Sequence, residues 1–187
     1  MQIKAQGILN AVRFVRERHG EEVLEEILTR CSPSVQERCR SAIAIEWHEA
    51  AEYEALLEAA AAVLGPSAPK ELGAAGARAN MSGFMRRAAF YLVRPSYAMK
   101  RVASAWSQFN DEGHMRLVDF SENGAVVEVT EVVPPGPLFC DALSGWCEVL
   151  GTRVGAREPV ARHTACRLRG DATCTWDIEF ASLPEAS

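Results

Sequence analysis

Four side chains in the last third of the chain have the types and the spacing of metal ligands. Cys140 comes first, His163 and Cys166 form a His-x-x-Cys step, and Cys174 follows beyond Gly170. Three thiolates and one imidazole make a closed tetrahedral set, which suits a structural zinc ion and leaves no open position for catalysis. The spacing therefore predicts structural zinc held by Cys140, His163, Cys166 and Cys174.

A second interpretation of the same cysteines is that they fill the core, because free cysteine is among the most buried residue types. In an unbroken strand, positions three apart face opposite sides, so His163 and Cys166 can share an ion only across a bulge or a strand end. The other cysteines, Cys31, Cys39 and Cys147, lie in helical patterns and are interpreted as core thiols. The residues alone leave both interpretations open.

A second group of side chains has the character of an apolar ligand pocket. Methionine and aromatic residues are frequent between positions 81 and 109, and soft, adaptable side chains of this kind hold small apolar ligands. Ordinary helix packing produces the same stripes. The candidate pocket residues are Phe84, Tyr91, Met99, Trp106 and Phe109.

Helices are predicted for most of the first two-thirds of the chain, because apolar residues recur there at helical spacing. Gly20 ends the first helix, and Pro33 suits the first turn of the third, where Ser34 and Glu37 have the spacing of a capping box. His48 is expected near the start of the fourth helix as a surface or capping residue. The helical segments are residues 8–19, 23–30, a stretch from 33, about 46–64, 81–93 and 99–109.

The pattern changes to strand-like alternation after residue 114. The Asn123-Gly124 pair between two alternating runs is the strongest short-range signal for a hairpin. A helix is predicted over 140–150, and strands over 160–168 and 174–180. Strands joined by hairpins form an antiparallel sheet, against which the helices must pack. The predicted class is α+β, with an N-terminal helical layer on a C-terminal antiparallel sheet.

Composition excludes several classes of protein. The chain has 187 residues, of which 48% are apolar, and its net charge is −5. The apolar fraction excludes disorder, no apolar run approaches the ~18 residues of a membrane span, and the charged start predicts no secretory signal. An acidic surface repels phosphate backbones, so no nucleic-acid partner is expected. We expect a single cytoplasmic domain over residues 1–182, with a frayed tail at 183–187.

No motif for catalysis is present. The sequence contains no Ser-His-Asp arrangement, no phosphate-binding glycine loop and no pair of carboxylates at a useful spacing. The protein is therefore not expected to be an enzyme.

The cysteine motif resembles the end of the 4-vinyl-reductase domain, in particular the sensory domain of phenol-responsive transcriptional activators. The N-terminal half is similar to haem-NO-binding-like proteins, and both groups belong to one superfamily with the small subunits of the TRAPP vesicle-tethering complex. The resemblance covers about residues 1–181. The matching stretches are Cys140-x-x-x-x-Gly145, His163-Thr-Ala-Cys166, Gly170-Asp171, Cys174 with the strand after it, Lys4-Ala-Gln-Gly7, Arg18-His19-Gly20 and Glu46-Trp47.

The resemblance implies a fold like the NO-signalling and Golgi-transport ligand-binding domains, which are usually dimeric and enclose an apolar cavity. In phenol sensors, a cysteine, an acidic residue and two further cysteines hold zinc. Cys140, Cys166 and Cys174 match those cysteines, and His163 stands in place of the acidic residue. Haem is not expected, because the Tyr-x-Ser-x-Arg element of the haem branch is missing and no histidine is clearly a proximal ligand.

The expected function is a non-enzymatic cytoplasmic sensor or adaptor that binds a small apolar molecule and signals through protein contacts as a homodimer. The alternative is an assembly scaffold with a closed cavity, similar to TRAPP-type small subunits. A co-purifying apolar ligand would favour the sensor, and exclusion of apolar probes would favour the scaffold.

Overall fold

The structure is a computed structural model that describes residues 1–85 and 106–183. The predicted helical residues 86–93 and 99–105, and the last four residues of the predicted tail, lie outside the described part of the chain. The helices within it are α1 (Gln6–His19), α2 (Glu21–Thr29), α3 (Pro33–Ser41), α4 (Ala50–Leu64), α5 (Ala68–Met85) and α6 (Pro137–Arg153).

Two antiparallel sheets accompany these helices. A small sheet pairs β1 (Gln2–Lys4) with β2 (Trp47–Glu49), and a four-stranded sheet has the order β3-β4-β6-β5. The larger sheet contains β3 (His114–Phe120), β4 (Gly124–Thr130), β5 (Val160–Ala165) and β6 (Cys174–Glu179). The α+β prediction is confirmed, and so is the hairpin at Asn123-Gly124, which joins β3 to β4.

The four-stranded sheet has one buried face and one solvated face. Val127 and Trp176 are directly paired and almost fully buried, at 1% and 0% exposure. On the other face, Arg116 pairs with Glu128 at 2.8 Å across β3 and β4. Alternation of this kind is expected for an antiparallel sheet whose inner face packs on helices.

Helices α5 and α6 pack with their backbones in contact. A β-carbon on Gly73 would collide with the Ala142 carbonyl group, and one on Gly145 would collide with the carbonyl oxygen of Lys70. Only glycine permits so close an approach at these two positions. The crossing fixes where α6, which carries Cys140, lies against the helical layer.

The first turn of α6 is also held by a side chain from α4. The buried carboxylate of Glu54 accepts hydrogen bonds from the backbone N–H groups of Leu138 at 3.0 Å and Phe139 at 2.7 Å. These donors would otherwise be left without partners at the start of the helix. The carboxylate therefore caps α6 from another element and ties it to α4.

The prediction of one helix over 46–64 is wrong at its start, because residues 47–49 form β2. His48 pairs with Ile3 of β1 and is 5% exposed, so it is a core residue and neither a surface nor a capping residue. A strand-pairing partner more than forty residues away in sequence overrides the local helical pattern, and no local signal reveals it.

Two further helix predictions need correction. Ser32, not Ser34, caps α3: its hydroxyl accepts from the N–H of Val35 at 3.4 Å, because Pro33 occupies the first helical position and the residue before it becomes the cap. Helix α5 begins at Ala68, well before the predicted start at about residue 81. Its first half is rich in alanine and glycine, which carry little hydrophobic periodicity.

Candidate metal and ligand sites

The four predicted metal ligands come together between α6 and the sheet. One sulfur atom from each of Cys140, Cys166 and Cys174 and one ring nitrogen of His163 all lie within 4.8 Å of one another. Helix α6 supplies Cys140, β5 supplies His163, and the two remaining cysteines flank the turn at Arg167–Arg169. The cysteines are buried, at 1%, 3% and 2% exposure for Cys140, Cys166 and Cys174.

His163 and Cys166 reach the same point because β5 is irregular there. The pairing of β5 with β6 shifts register between His163 and Ala165, and the strand ends at Ala165. The N–H of Cys166 then donates to Asp171 Oδ2 at 2.7 Å, which holds the turn closed. Gly170 adopts the left-handed conformation that this turn requires, with φ of 92°. Because the strand ends between them, His163 and Cys166 can face the same point although they are three residues apart.

The imidazole of His163 has an unusual environment. It stacks on Trp176 with 4.6 Å between ring centroids, and its buried Nε2 atom has no hydrogen-bond partner among the described residues. The indole N–H of Trp176 donates to Ser144 Oγ, and Ser144 in turn donates to the Cys140 carbonyl. Buried polar atoms are rarely left unpaired, so an orphaned nitrogen beside three sulfur atoms fits a metal ligand.

The thiols of the cluster interact strongly. Cys140 donates a hydrogen bond to the sulfur of Cys174, which lowers the pKa of Cys174 and raises that of Cys140. The backbone N–H of Arg167 also donates to the Cys174 sulfur, at 3.4 Å. Cys174 is therefore the thiol most readily present as thiolate, the form that binds metal ions.

The size of the cluster suits one ion. Bonds of about 2.0–2.3 Å to a tetrahedral ion place the ligand atoms about 3.3–3.8 Å apart. The four atoms already lie within 4.8 Å of one another, so they need to close by at most about 1–1.5 Å.

A cavity of about 100 Å³ lies between the helical layer and the start of the larger sheet. Aromatic side chains from several elements line it: Tyr53, Trp106, Phe109, Phe139 and Trp146. The rest of the described wall consists of aliphatic side chains, glycines and Met115, together with the polar residues Lys4, Asn80 and Asn110. The arrangement can take up a small apolar molecule.

Two of the five predicted pocket residues line this cavity, Trp106 and Phe109. Tyr91 and Met99, and the side chain of Phe84, lie outside what the structure describes. Sequence reasoning missed the contributions of Tyr53, Phe139 and Trp146, which come from helices distant in sequence. For these three residues the sequence offered one signal, which was the large apolar side chain of Trp146 within the predicted helix over 140–150.

Each of the chain's four histidines lies away from the cavity lining. His19 ends α1, His48 is in β2, His114 starts β3 with its side chain 72% exposed, and His163 belongs to the cysteine cluster. No imidazole therefore faces the cavity formed by the described residues.

No model of a known protein family matches the chain, and no curated protein matches it. Solved structures, in contrast, do match the chain. The chain is similar over 99% of its length to all of an H-NOX protein from S. oneidensis in the Fe(II) ligation state, with a TM-score of 0.73 and 13% identity. The Fe(II) unliganded H-NOX protein from K. algicida gives a TM-score of 0.66 at 10% identity, covering 99% of this chain and 100% of that one.

A third similar structure comes from work on haem distortion in the H-NOX family, with a TM-score of 0.63 and 15% identity over 99% of this chain and 98% of the other. At such identities the likeness shows the fold alone. The chain has an H-NOX-like fold, which confirms the α+β class and agrees with the haem-NO-binding-like part of the resemblance. Membership of the 4-vinyl-reductase or TRAPP groups stays a prediction.

The cofactor prediction, structural zinc without haem, is wrong. The solved structures with this fold are described by their Fe(II) state or by their haem, and no comparison shows zinc. The prediction without haem depends on the missing Tyr-x-Ser-x-Arg element, which residues 94–97 do not match, and on the lack of a clear proximal histidine. Residues 94–97 lie outside the described part of the chain. A local departure of this kind says little about a fold that the whole chain determines.

A haem group does not fit the described residues around the cavity. The cavity measures about 100 Å³ and no histidine lines it, whereas pockets for ligands of drug size measure about 300–1,000 Å³. The described residues around the cavity therefore supply neither the volume nor an imidazole ligand for haem. In the same part of the chain, no helix is both long and apolar enough to cross a membrane.

Proposed function

We propose that this chain is a non-enzymatic sensor domain whose cavity binds a small apolar molecule and which reports that molecule through contacts with another protein. The observation that carries the proposal is the cavity itself, which aromatic side chains such as Trp106, Phe139 and Trp146 line. Apolar cavities with few polar groups are the usual binding sites for small apolar ligands. The cytoplasmic location and the homodimer stay predictions.

The volume limits the class of ligand. An engineered apolar cavity of about 150 Å³ stays dry and binds benzene or xenon, and the cavity here measures about 100 Å³. An apolar molecule of about the size of one aromatic ring is therefore the ligand that the cavity suits.

Helix α6 is the element that would report the ligand. Phe139, Leu143 and Trp146 line the cavity from α6, and the same helix packs against α5 through the close contacts at Gly73 and Gly145. A ligand that contacts this wall favours the conformations in which the wall is ordered, and so shifts the population of partner-competent states.

We propose further that Cys140, His163, Cys166 and Cys174 bind one thiophilic metal ion. The support is the convergence of the four ligand atoms within 4.8 Å, the burial of the sulfur atoms and the unpaired Nε2 of His163. With four protein ligands the ion has no open position. Its role would be to tie α6 to β5 and β6.

Filling the cavity tests the sensor proposal. Gly76 lines the cavity, and a β-carbon there would meet no other atom within 4 Å. Gly76→Leu should therefore occupy the cavity without a backbone clash. Calorimetric titration should show saturable benzene binding to the wild type and at least a tenfold loss of affinity in Gly76→Leu.

The matched control is Ala62→Leu, which places the same side chain at an exposed position of α4 and should bind benzene as the wild type does. Exclusion of benzene by the wild type would contradict the proposal and favour the closed scaffold. Equal binding by the wild type and Gly76→Leu would also contradict it. So would a Soret band in purified protein that disappears in Gly76→Leu, because the cavity would then hold haem.

A further inference from the structure

We infer that the metal-ligand cluster and the apolar cavity are coupled, so that an ion bound at the cluster tightens binding of an apolar molecule in the cavity. The inference rests on the proposed function, because it needs both sites. Trp106, Phe139 and Leu143 line the cavity and also line a narrow gap that reaches Cys140 and Cys174. One layer of side chains therefore separates the two sites.

Helix α6 links the two sites rigidly. Phe139 immediately precedes Cys140 and Leu143 follows it by three residues, so both wall residues lie within one turn of a metal ligand. Residues three apart on a helix are neighbours on its surface. A displacement of Cys140 toward an ion therefore moves Phe139 and Leu143 with it.

The wall residue Phe139 is held on its far side by α4. The carboxylate of Glu54 accepts a hydrogen bond from the backbone N–H of Phe139 at 2.7 Å. The ring of Tyr53 meets the Phe139 ring edge-on, with 6.3 Å between centroids and an interplanar angle of 90°. Because Tyr53 also lines the cavity, this part of the wall lies between α4 and the cysteine cluster.

On the sheet side, Trp176 connects the cluster to α6. Its ring stacks on His163, its N–H donates to Ser144 at 3.0 Å, and it lines the gap between the sites. Ser144 donates in turn to the carbonyl of Cys140 at 3.1 Å. An ion that joins Cys140 to His163 and the other cysteines therefore restrains α6 against β6.

The direction of the coupling follows from preorganisation. Without an ion, hydrogen bonds to and between the thiols hold the cluster together. With an ion, four coordinate bonds fix the first turn of α6 and the cavity wall that it carries. A ligand that enters an already ordered wall loses less conformational entropy, so it binds more tightly. By linkage, the ligand must raise the affinity for the ion by the same factor.

Calorimetric titration of benzene into the full chain tests the inference, with the thiols kept reduced. One sample is freed of metal by a chelator, and the other is loaded with one equivalent of Co²⁺. Because coupling between sites typically amounts to about 5–150-fold, we expect Co²⁺ to lower the benzene Kd at least fivefold. Saturating benzene should raise Co²⁺ affinity by the same factor.

The outcomes separate the two proposals. Equal benzene affinity in both samples, or weaker binding with Co²⁺, would overturn the coupling and leave the proposed function standing. No saturable benzene binding in either sample would overturn the proposed function and the coupling with it.

Two cysteine variants show where the effect arises. Cys166→Ser removes a ligand that lines neither the cavity nor the gap, so Co²⁺ should no longer change benzene affinity. Cys31→Ser changes a buried thiol outside the cluster and should keep the full effect. If Co²⁺ still tightened benzene binding to Cys166→Ser, the inference would be overturned.

Discussion

His163 lies almost flat against Trp176, with ring centroids 4.6 Å apart and ring planes 14° from parallel. Trp176 is fully buried and its indole N–H is bonded to Ser144, so the ring that supports the imidazole cannot move freely. The orientation of His163 is therefore set before any ion arrives, as in sites whose ligands are locked by their neighbours.

Removal of this imidazole should weaken metal binding. We expect His163→Gln to lower Co²⁺ affinity by more than about tenfold, since even changes to groups that only support metal ligands cost about 10–100-fold. Competition with a chelator, followed by thiolate-to-cobalt absorption, measures the change. His114→Gln is the matched control at an exposed histidine and should leave the affinity unchanged. Equal losses in both variants would contradict the assignment.

Two glycines of α5, Gly73 and Gly76, should respond in opposite ways to substitution by alanine. Gly73→Ala should lower the free energy of unfolding by about 1–3 kcal/mol or more, because the added carbon collides with the backbone of Ala142 and overpacking has a cost of this size. Gly76→Ala meets open space and should raise stability by about 0.5–1 kcal/mol through helix propensity. Urea unfolding measures both, and a tolerated Gly73→Ala would contradict the close crossing of α5 and α6.

Glu54 should make the protein relatively more stable in mild acid. Burial raises the pKa of this carboxyl above its ordinary value, despite the two N–H donors that favour the charge. The folded state then holds the proton more tightly than the unfolded chain, so this contribution is full below the unfolded pKa of about 4.3 and is lost as the pH rises through the folded pKa. Between about pH 7 and pH 4.5, the wild type should gain unfolding free energy relative to Glu54→Gln.

The control for that comparison is Ala62→Leu, at an exposed position of the same helix, which leaves every titrating group in place. Its unfolding free energy should run parallel to that of the wild type over the same pH range. A constant difference between the wild type and Glu54→Gln would show that Glu54 titrates alike in the folded and unfolded states.

The contribution of His48 to the free energy of unfolding should change with pH in the opposite direction. Burial lowers the pKa of this imidazole, so its contribution to stability is present above the unfolded pKa of about 6.5 and is lost as the pH falls through the folded pKa. The wild type should therefore lose unfolding free energy relative to His48→Leu between about pH 7.5 and pH 5. Urea unfolding at several pH values, with His114→Leu as the exposed control, measures this. Parallel curves for the wild type and His48→Leu would contradict it.

The strands of the larger sheet could be predicted because their signals are local. Alternation over residues 174–180 and the Asn123-Gly124 turn each depend on neighbours within a few residues. Strand β2 could not be predicted, because its partner lies at the start of the chain. The first half of α5 was missed because its small residues pack against another backbone, not through a hydrophobic stripe.

The cavity was predicted only in part for a similar reason. Trp106 and Phe109 stand out as large apolar residues in one segment, but Tyr53 and Phe139 reach the cavity from different helices. The contact of Phe139 with Tyr53 depends on how α4 meets α6, and the carboxylate of Glu54 sets that arrangement. No pattern within either helix contains this information.

By itself, the sequence determined the α+β class, the antiparallel hairpins and the identity of four side chains able to bind metal, because residue types and short spacings carry those properties. Only the tertiary structure decided that these four meet within 4.8 Å and that a cavity lies one layer of side chains away. Convergence of this kind depends on a register shift in β5 and on backbone contact between α5 and α6. Both are long-range packing relationships, and they exist only once the chain has folded.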